Sequence, residues 1–475
     1  MPSEVLLINS NITKPPVSPV GLEYVGEALA EHHLSIKVLD LTFKSDWQAA
    51  LRQELSDSDP SIIGITVRNT DDCSYVSKQS YLPLIQTMTT EIKQLSQSPI
   101  VLGGVGFSIM PQPILELTGV DLGIIGDGEQ TFTYLVKCIQ QKREYLDLPN
   151  LVYQHQGKIV ANKRIDGQLD EMPFPRRRLI DNKRYQELGA MVGIETKRGC
   201  GQKCIYCADP VAKGNNMRLR PPKLVIQELK DLLTQGVSWL HLSDSEFNLP
   251  LDHAKEICMA IINAGIHDQL KWYCYCSPIP FDVELAHLMK CAGCYGINFG
   301  VDSLCDQQLR RIGRKHTIGD IQRLVKHLKR EQLNYMFDLL IGGPAETPET
   351  VKTSFDKIRK LNIPLVGISV GVRIYPKTSL AKSIVDGQLI KGLSPQNASH
   401  NFSAPTFFVS PYLGQDPILL LKEYIGEDPR FLFLSSPSDT GSYNYAGDDL
   451  LCTTIKQGAR GAYWDIISRN PKVFR

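Results

Sequence analysis

Short runs of aliphatic and β-branched residues recur along the first 150 residues and constrain the fold of this chain most strongly. Each run spans three to six residues, which suits a strand buried on both faces of a sheet. Segments with leucine and isoleucine at helical spacing separate the runs. Because such strands and helices are joined by right-handed crossovers, the pattern predicts an α/β fold with a doubly wound parallel sheet. The runs are residues 5–8, 36–39, 62–67, 100–102 and 122–125.

Polar and glycine-rich segments follow these runs, at the edge where open parallel sheets bind their ligands. A bulky ligand could lie there against bare backbone, although the same glycines could equally make tight strand–helix turns. A dinucleotide fold is a poor fit, because the first run leads into Asn-Ser-Asn and not into Gly-x-Gly-x-x-Gly. The candidate binding residues are Asn9, Ser10, Arg68, Asn69, Gly103, Gly104, Gly106, Gly126, Gly128 and Glu129.

Three cysteines, Cys200, Cys204 and Cys207, lie close together in the middle of the chain. A short loop with this spacing can turn three thiolates onto one centre and leave the fourth iron of a 4Fe–4S cluster open to another ligand. A zinc site would need a fourth cysteine or histidine at conventional spacing, and none follows closely. Chance clustering among twelve cysteines is the alternative, which Tyr206 and the flanking glycines disfavour.

With Tyr206 before its last cysteine, this loop resembles the C-x3-C-x-aromatic-C signature of the radical S-adenosylmethionine (SAM) superfamily. Further motifs follow in the family's order, through roughly residues 190–385. The resemblance implies a partial (β/α)6 barrel in which Glu246 accepts a hydrogen bond from the amino group of SAM. It also implies ribose contacts from residues 297–303 and adenine near residues 338–344. The cofactor contacts so implied are Tyr206, Glu246, Asp302, Ser303, Ile341, Gly342 and Arg373.

An open α/β domain in front of such a barrel resembles the Rossmann-like cobalamin-binding domain of the cobalamin-dependent branch. The glycine-rich edge is therefore expected to contact cobalamin. No Asp-x-His-x-x-Gly motif, which would supply a histidine ligand to cobalt, occurs in the sequence. Our hypothesis is that Arg68 faces the cobalt instead, because a cation would not coordinate it. Arg68 and Glu246 are the candidate catalytic residues.

The resemblance implies an enzyme, a cobalamin-dependent radical SAM C-methyltransferase. A methyl group would pass from SAM through methylcobalamin to an unactivated carbon of a small specialised metabolite, and the protein would orient its cofactors. The tryptophan 2-C-methyltransferase subgroup is one similar branch. A low-potential electron donor such as flavodoxin or ferredoxin is the expected protein partner.

Two alternatives stay open at this point. The first is a cobalamin-dependent radical SAM cyclase or ring-rearranging enzyme, which would transfer no methyl group. The second is a non-catalytic sensor that binds cobalamin or an iron–sulfur cluster, which would need neither an open iron nor the acceptor Glu246.

Charge and segment patterning complete the expectations. The 475 residues include 52 Lys+Arg and 51 Asp+Glu, which gives no basic field to collect nucleic acid. Without a signal peptide or an apolar run near the roughly 18 residues that span a bilayer, we expect a cytoplasmic protein with no membrane span.

The basic triplet 176–178 is typical of a solvated face. The expected regions are 1–145 (cobalamin-binding domain), 146–189 (linker), 190–393 (barrel) and 394–475 (small C-terminal α+β substrate-capping region).

Overall fold

Two seven-stranded sheets organise the chain. The structure is a computed structural model, which describes residues 4–170, 175–389, 391, 402–433 and 449–469. Residues 171–174 of the expected linker, and residues 394–401 at the start of the expected C-terminal region, lie outside the described residues. In the described part of the chain, no helix is long and apolar enough to cross a membrane.

The first sheet has the strand order β2-β1-β3-β4-β5-β6-β7. Its first five strands are parallel, while β6 and β7 add an antiparallel hairpin at one edge. All five apolar runs form strands, so the predicted parallel sheet is confirmed, and the hairpin extends this sheet beyond residue 145. The strands are β1 (Val5–Asn9), β2 (Ile36–Asp40), β3 (Ile62–Thr66), β4 (Ile100–Gly103), β5 (Leu122–Ile124), β6 (Leu151–His155) and β7 (Lys158–Ala161).

Helices cover both faces of this sheet. Successive residues of β1 point to opposite faces, so Val5 packs in one apolar layer with α1 and α6. Leu6 packs in the other layer, with α2, α3 and α5. The helices are α1 (Val20–Glu31), α2 (Trp47–Asp57), α3 (Leu82–Leu95), α4 (Val105–Ile109), α5 (Pro111–Thr118) and α6 (Glu129–Gln140).

The second sheet is parallel throughout, with the order β18-β15-β14-β13-β12-β11-β8. Six of its strands alternate with helices, as the expected (β/α)6 unit requires, and β18 adds a seventh strand from the C-terminal region. Two short ladders pair β9 with β10 and β16 with β17. The strands are β8 (Val192–Ile194), β9 (Lys197–Arg198), β10 (Arg218–Leu219), β11 (Trp239–Leu242), β12 (Lys271–Cys276), β13 (Cys294–Asp302), β14 (Tyr335–Ile341), β15 (Val366–Val370), β16 (Val372–Arg373), β17 (Phe407–Phe408) and β18 (Phe431–Phe433).

The remaining helices surround this sheet or join it to the C-terminal region. Trp464 and Leu451 share an apolar cluster with Tyr273 and Met336 of the sheet, so the C-terminal helices pack directly on the barrel. These helices are α7 (Asn182–Glu187), α8 (Asp209–Lys213), α9 (Pro222–Thr234), α10 (Leu251–Asn263), α11 (Val283–Cys291), α12 (Asp306–Arg311), α13 (Ile318–Arg330), α14 (Pro348–Leu361), α15 (Ser379–Val385), α16 (Pro417–Ile425), α17 (Asp449–Lys456) and α18 (Tyr463–Ser468).

A buried arginine joins the two halves of the chain. The Arg177 side chain is 0% exposed, and its Nε lies 2.6 Å from Glu23 Oε2 on α1. Its Nη1 lies 2.6 Å from Glu228 Oε1 on α9. The expectation that the triplet 176–178 is a solvated face is therefore wrong for Arg177. Two carboxylates close around this guanidinium, which lets it leave water.

We expect Arg177→Met to lower the free energy of unfolding by about 3–5 kcal/mol, because it leaves buried carboxylates without their cation. The matched control is Arg178→Met, since the Arg178 side chain is 69% exposed and lies 3.5 Å from Asp231. The control should change stability by less than about 0.5 kcal/mol. Denaturant titration of both variants measures the difference, and equal losses would contradict this account of Arg177.

Candidate active site

A cavity of about 610 Å³ lies between the carboxyl edge of the first sheet and the barrel. One wall comes from the N-terminal domain and includes Asn9, Arg68, Asn69, Gly103, Gly104, Gly126, Gly128 and Glu129. The opposite wall comes from the barrel and the C-terminal region and includes Gly193, His241, Ser243, Tyr275, Asn298, Tyr463 and Trp464. The structure thus brings together most of the residues that the sequence placed at the sheet edge.

Two of those candidates do not line the cavity. The Ser10 hydroxyl donates to the Thr66 carbonyl at 2.5 Å. Gly106 packs against the backbone just after β3, since a Cβ at Gly106 would lie 2.9 Å from the Val67 carbonyl oxygen. Both residues shape the wall from behind.

Bare backbone forms part of the N-terminal wall. Gly104 has a φ of +97°, and a Cβ there would lie 2.8 Å from the Val67 carbonyl oxygen, so the turn requires glycine. At Gly103 a Cβ would meet only one atom within 4 Å, at 3.9 Å. The wall therefore fits a large ligand that lies flat against the chain.

Arg68 contributes a positive charge to this wall. With its amide oriented to satisfy both partners, Asn69 accepts a hydrogen bond from Arg68 Nη1 at 3.1 Å. Across the cavity, burial and the charges of Lys213 and Arg68 together lower the pKa of His241 from 6.5 to about 4. Among the described residues, His241 is the only histidine that lines the cavity, and it belongs to the barrel.

The three cysteines lie on the loop between β9 and α8. The Cys200 N–H donates to the Gly214 carbonyl at 3.1 Å, and the Cys207 N–H donates to the Cys204 carbonyl at 3.3 Å. Burial raises the pKa of the Cys207 thiol, and Asp209, Cys204 and Cys200 add to that rise. None of the three forms a disulfide.

This donor set fits an iron–sulfur cluster better than a single ion. In the described residues, no three His, Cys, Asp or Glu side chains form a group that could hold one metal ion. A cluster instead offers a separate iron to each thiolate, so three unpaired thiols on one loop suit it.

Arg314 gathers the acidic groups beside this loop. Its Nη1 donates to Cys204 Sγ at 3.2 Å, and its Nε lies 3.1 Å from Asp302 Oδ2. Glu246 Oε1 lies 3.8 Å from Nη1, and the Gly300 carbonyl accepts from Nη2. Arg314 follows α12 outside any motif that the sequence analysis used, and only its three-dimensional neighbours identify it.

Glu246 is poised to receive a cation. Burial raises the pKa of its carboxyl to about 7, and the Arg314 charge opposes that rise. Its Oε2 is buried and has no hydrogen-bond partner. A buried carboxylate oxygen without a partner fits an ammonium ligand, since a buried charge is stable only when it is paired.

Asp302 and Tyr206 meet beside the cysteine loop. The Tyr206 hydroxyl donates to Asp302 Oδ2 at 2.6 Å. Asp302 ends β13 with a φ of +61°, a left-handed conformation that costs free energy for a residue other than glycine. This turn directs the carboxylate towards Tyr206 and Arg314.

None of the seven residues assigned to SAM contacts lines the cavity, and two of them make contacts within the protein. The Ser303 hydroxyl lies 3.1 Å from the Ser354 hydroxyl and accepts from the Cys305 N–H at 3.1 Å. Arg373 is buried, and its Nη2 lies 2.8 Å from Asp71 Oδ2, so it ties the barrel to the N-terminal domain. The assignment of Ser303 and Arg373 to cofactor contacts stays a prediction.

The loop after β14 is held by a buried acid. Glu346 Oε2 accepts from the Gly342 N–H at 2.6 Å and from the Gly343 N–H at 3.0 Å. Gly342 has a φ of +106°, while Ile341 before it packs in the barrel core. Burial raises the pKa of Glu346 from 4.5 to about 7, although the two N–H groups oppose the rise.

We expect Glu346→Gln to stabilise the protein at pH 8 and to have little effect at pH 4.5. The folded state binds a proton more tightly than the unfolded state between these values, so the wild-type carboxyl destabilises the fold increasingly as pH rises towards about 7. At about 1.4 kcal/mol per pKa unit, the gain reaches at most about 3.5 kcal/mol.

Thermal unfolding at several pH values measures that gain. The matched control is Glu349→Gln on α14, three residues beyond Glu346, because the hydroxyl of Thr347 lowers the pKa of Glu349. A gain that is independent of pH, or one shared by Glu349→Gln, would contradict the role assigned to burial.

Comparisons with known proteins place the two halves of the chain. Residues 194–358 match the radical SAM superfamily, and residues 12–136 match the B12 binding domain. Tryptophan 2-C-methyltransferase from Streptomyces laurentii is 31% identical over 462 residues, which cover 83% of this chain and 77% of that protein.

Solved structures agree with these matches. The radical SAM methyltransferase TsrM from Kitasatospora setae, solved with cobalamin and a [4Fe-4S] cluster bound, superposes with a TM-score of 0.90 and 27% identity over 99% of both chains. OxsB, with aqua-cobalamin and SAM bound, shares the fold, with a TM-score of 0.72 and 17% identity over 89% of this chain and 66% of that chain.

The predicted fold class, the enzyme class and the cofactors, which are cobalamin, a 4Fe–4S cluster and SAM, are confirmed. The chain belongs to the cobalamin-dependent radical SAM methyltransferases.

Proposed function

We propose that this protein methylates a carbon of tryptophan or of a closely related indole amino acid. The observation that carries the proposal is the cavity between the B12 binding domain and the barrel, which gives one small molecule access to both halves. Tyr273, Tyr275 and Trp464 line it and offer flat aromatic surfaces to an indole ring. The 31% identical relative is named for methylation of tryptophan.

We assign the cluster to Cys200, Cys204 and Cys207. When bound, the cluster supplies a redox centre with one open iron, and cobalamin supplies a methyl carrier. Glu246 would accept from the ammonium group of SAM, whose carboxylate would then lie towards the Arg314 guanidinium. Asp302 and Tyr206 would complete the polar wall beside it.

Several finer expectations from the sequence stay predictions. A flavodoxin or ferredoxin would supply low-potential electrons, no nucleic acid would bind, and the protein would work in the cytoplasm. The near balance of 52 basic and 51 acidic residues supports the second of these.

The first test supplies the reconstituted holoenzyme with tryptophan, a reductant and SAM that carries a labelled methyl group. We expect labelled C-methyltryptophan and S-adenosylhomocysteine by mass spectrometry. Cys204→Ala should lose bound iron and activity, whereas the control Cys291→Ala should keep both, because Cys291 is exposed on α11. Formation of 5′-deoxyadenosine without any methylated product would favour a cyclase or rearrangement.

The second test concerns Arg68, which we propose faces the lower side of the cobalt. Arg68→His would place a nitrogen ligand there, so the electron paramagnetic resonance spectrum of the Co(II) form should gain splitting from that nitrogen. Arg68→Lys keeps a cation and should keep the wild-type spectrum. Wild-type spectra and activity in Arg68→His would argue that Arg68 lies elsewhere.

A further inference from the structure

Asn298 is a buried amide without a partner. Its side chain lies on β13 and lines the cavity, yet the residue is only 3% exposed. Neither Nδ2 nor Oδ1 has a hydrogen-bond partner. Buried amide groups are almost always paired, because leaving water without a replacement partner is costly. Both atoms of Asn298 therefore await a ligand inside the cavity.

On the face of β13 that carries Asn298, the neighbouring positions are glycines and have no side chains. Residues two positions apart on a strand point the same way, so Gly296 and Gly300 flank Asn298 on this face. A Cβ at Gly300 would lie 3.2 Å from Arg314 Nη2 and 3.7 Å from Glu246 Oε1. Asn298 is thus one pleat, about 7 Å, below the acidic centre beside the cysteine loop.

An aromatic floor lies one pleat further along. A Cβ at Gly296 would lie 2.7 Å from the Tyr273 ring and 3.0 Å from Trp464 Cη2. Tyr275 is paired with Asn298 in register on β12. On this face of β13, the Asn298 amide therefore lies between a charged centre on one side and aromatic rings on the other.

The pairing requirement of the amide selects the chemistry of the ligand. A carboxamide offers two donors on Nδ2 and an acceptor on Oδ1. A lone indole N–H would satisfy only Oδ1 and leave Nδ2 unpaired. A zwitterionic α-amino acid group carries an acceptor and a donor on the same carbon, so it can satisfy both atoms at once.

We propose that Asn298 is a specificity-determining residue that binds the α-amino acid group of the substrate. Nδ2 donates to the substrate carboxylate, and Oδ1 accepts from its ammonium group. This inference rests on the proposed function and adds the part of the substrate that the amide recognises. SAM carries the same zwitterionic group, so the experiment must separate the two sources.

The experiment uses calorimetry on cluster- and cobalamin-loaded enzyme and its nearly isosteric variant Asn298→Leu. The ligands are tryptophan, tryptamine, indole-3-propionate and 3-methylindole, together with SAM in a separate titration. We expect Asn298→Leu to weaken tryptophan binding about 10- to 100-fold, while 3-methylindole binding changes by less than about threefold. Tryptamine and indole-3-propionate, which each keep one charged group, should lose intermediate amounts.

Asn298→Asp tests the polarity of the contact. It keeps the acceptor and replaces the donor with a negative charge, so tryptophan should weaken at least as much as in Asn298→Leu, and tryptamine should weaken less. The matched control is Tyr335→Phe, because the Tyr335 hydroxyl is also buried without a partner but does not line the cavity. It should leave every affinity unchanged.

Each outcome has a distinct meaning. Loss of SAM affinity with unchanged tryptophan affinity in Asn298→Leu overturns the inference, because the amide would then bind the α-amino acid group of SAM and not that of the substrate. If the wild type binds no tryptophan, the proposed substrate is wrong, and the same titrations are made with the other proteinogenic amino acids. Asn298→Leu that binds SAM and every wild-type amino acid ligand with unchanged affinity overturns the inference.

Discussion

Buried arginine–carboxylate pairs between the two halves of the chain are the interactions on which the active site depends. Arg177 is enclosed by Glu23 and Glu228, and Arg373 pairs with Asp71 on another side of the interface. Such pairs are costly to desolvate but very costly to break, so they favour one arrangement of the two sheets. In that arrangement the carboxyl edge of the first sheet faces the barrel across the cavity.

The same type of interaction couples the cysteine loop to the wall of the cobalamin domain. Arg198, two residues before Cys200, has Nη2 2.6 Å from Glu129 Oε1 and Nη1 3.3 Å from Asp127 Oδ1. Asp127 also accepts from Arg218 on the paired strand β10. These ion pairs therefore connect the glycine-rich loop of the first domain directly to the strand from which the cysteine loop begins.

Within the barrel, charge is concentrated around Arg314. Its guanidinium donates to the Cys204 thiol and the Gly300 carbonyl and pairs with the carboxylates of Glu246 and Asp302. This positive charge offsets the repulsion between the two carboxylates, so they can lie close together. One pleat below, β13 carries an amide between two glycines. The barrel therefore changes from charged to polar to aromatic along one strand, and a ligand with a polar end and a flat ring matches that sequence of surfaces.

Local patterns of the chain were enough to predict the sheets, the three-cysteine loop and the glycine-rich wall. Short apolar runs that alternate with helices are typical of parallel strands buried on both faces. The spacing of Cys200, Cys204 and Cys207 places all three on one loop, independently of how the rest of the chain folds. The order of strands and helices also predicted which residues lie at the carboxyl edge of the first sheet, and most of these residues line the cavity.

Contacts between residues far apart in sequence decided the rest. Arg177 and Arg178 are neighbours in one basic triplet, yet only the packing of α1 against α9 buries the first and leaves the second in water. Arg314 lies in no motif that the sequence analysis used. The contacts of Ser303 with α14 and of Arg373 with Asp71 are likewise seen only in the folded chain. A sequence determines which residues can form strands and which can bind metal, because those properties are local. Which charges are paired, and which amide is left unpaired inside a cavity, depends on the distances that only the tertiary structure sets.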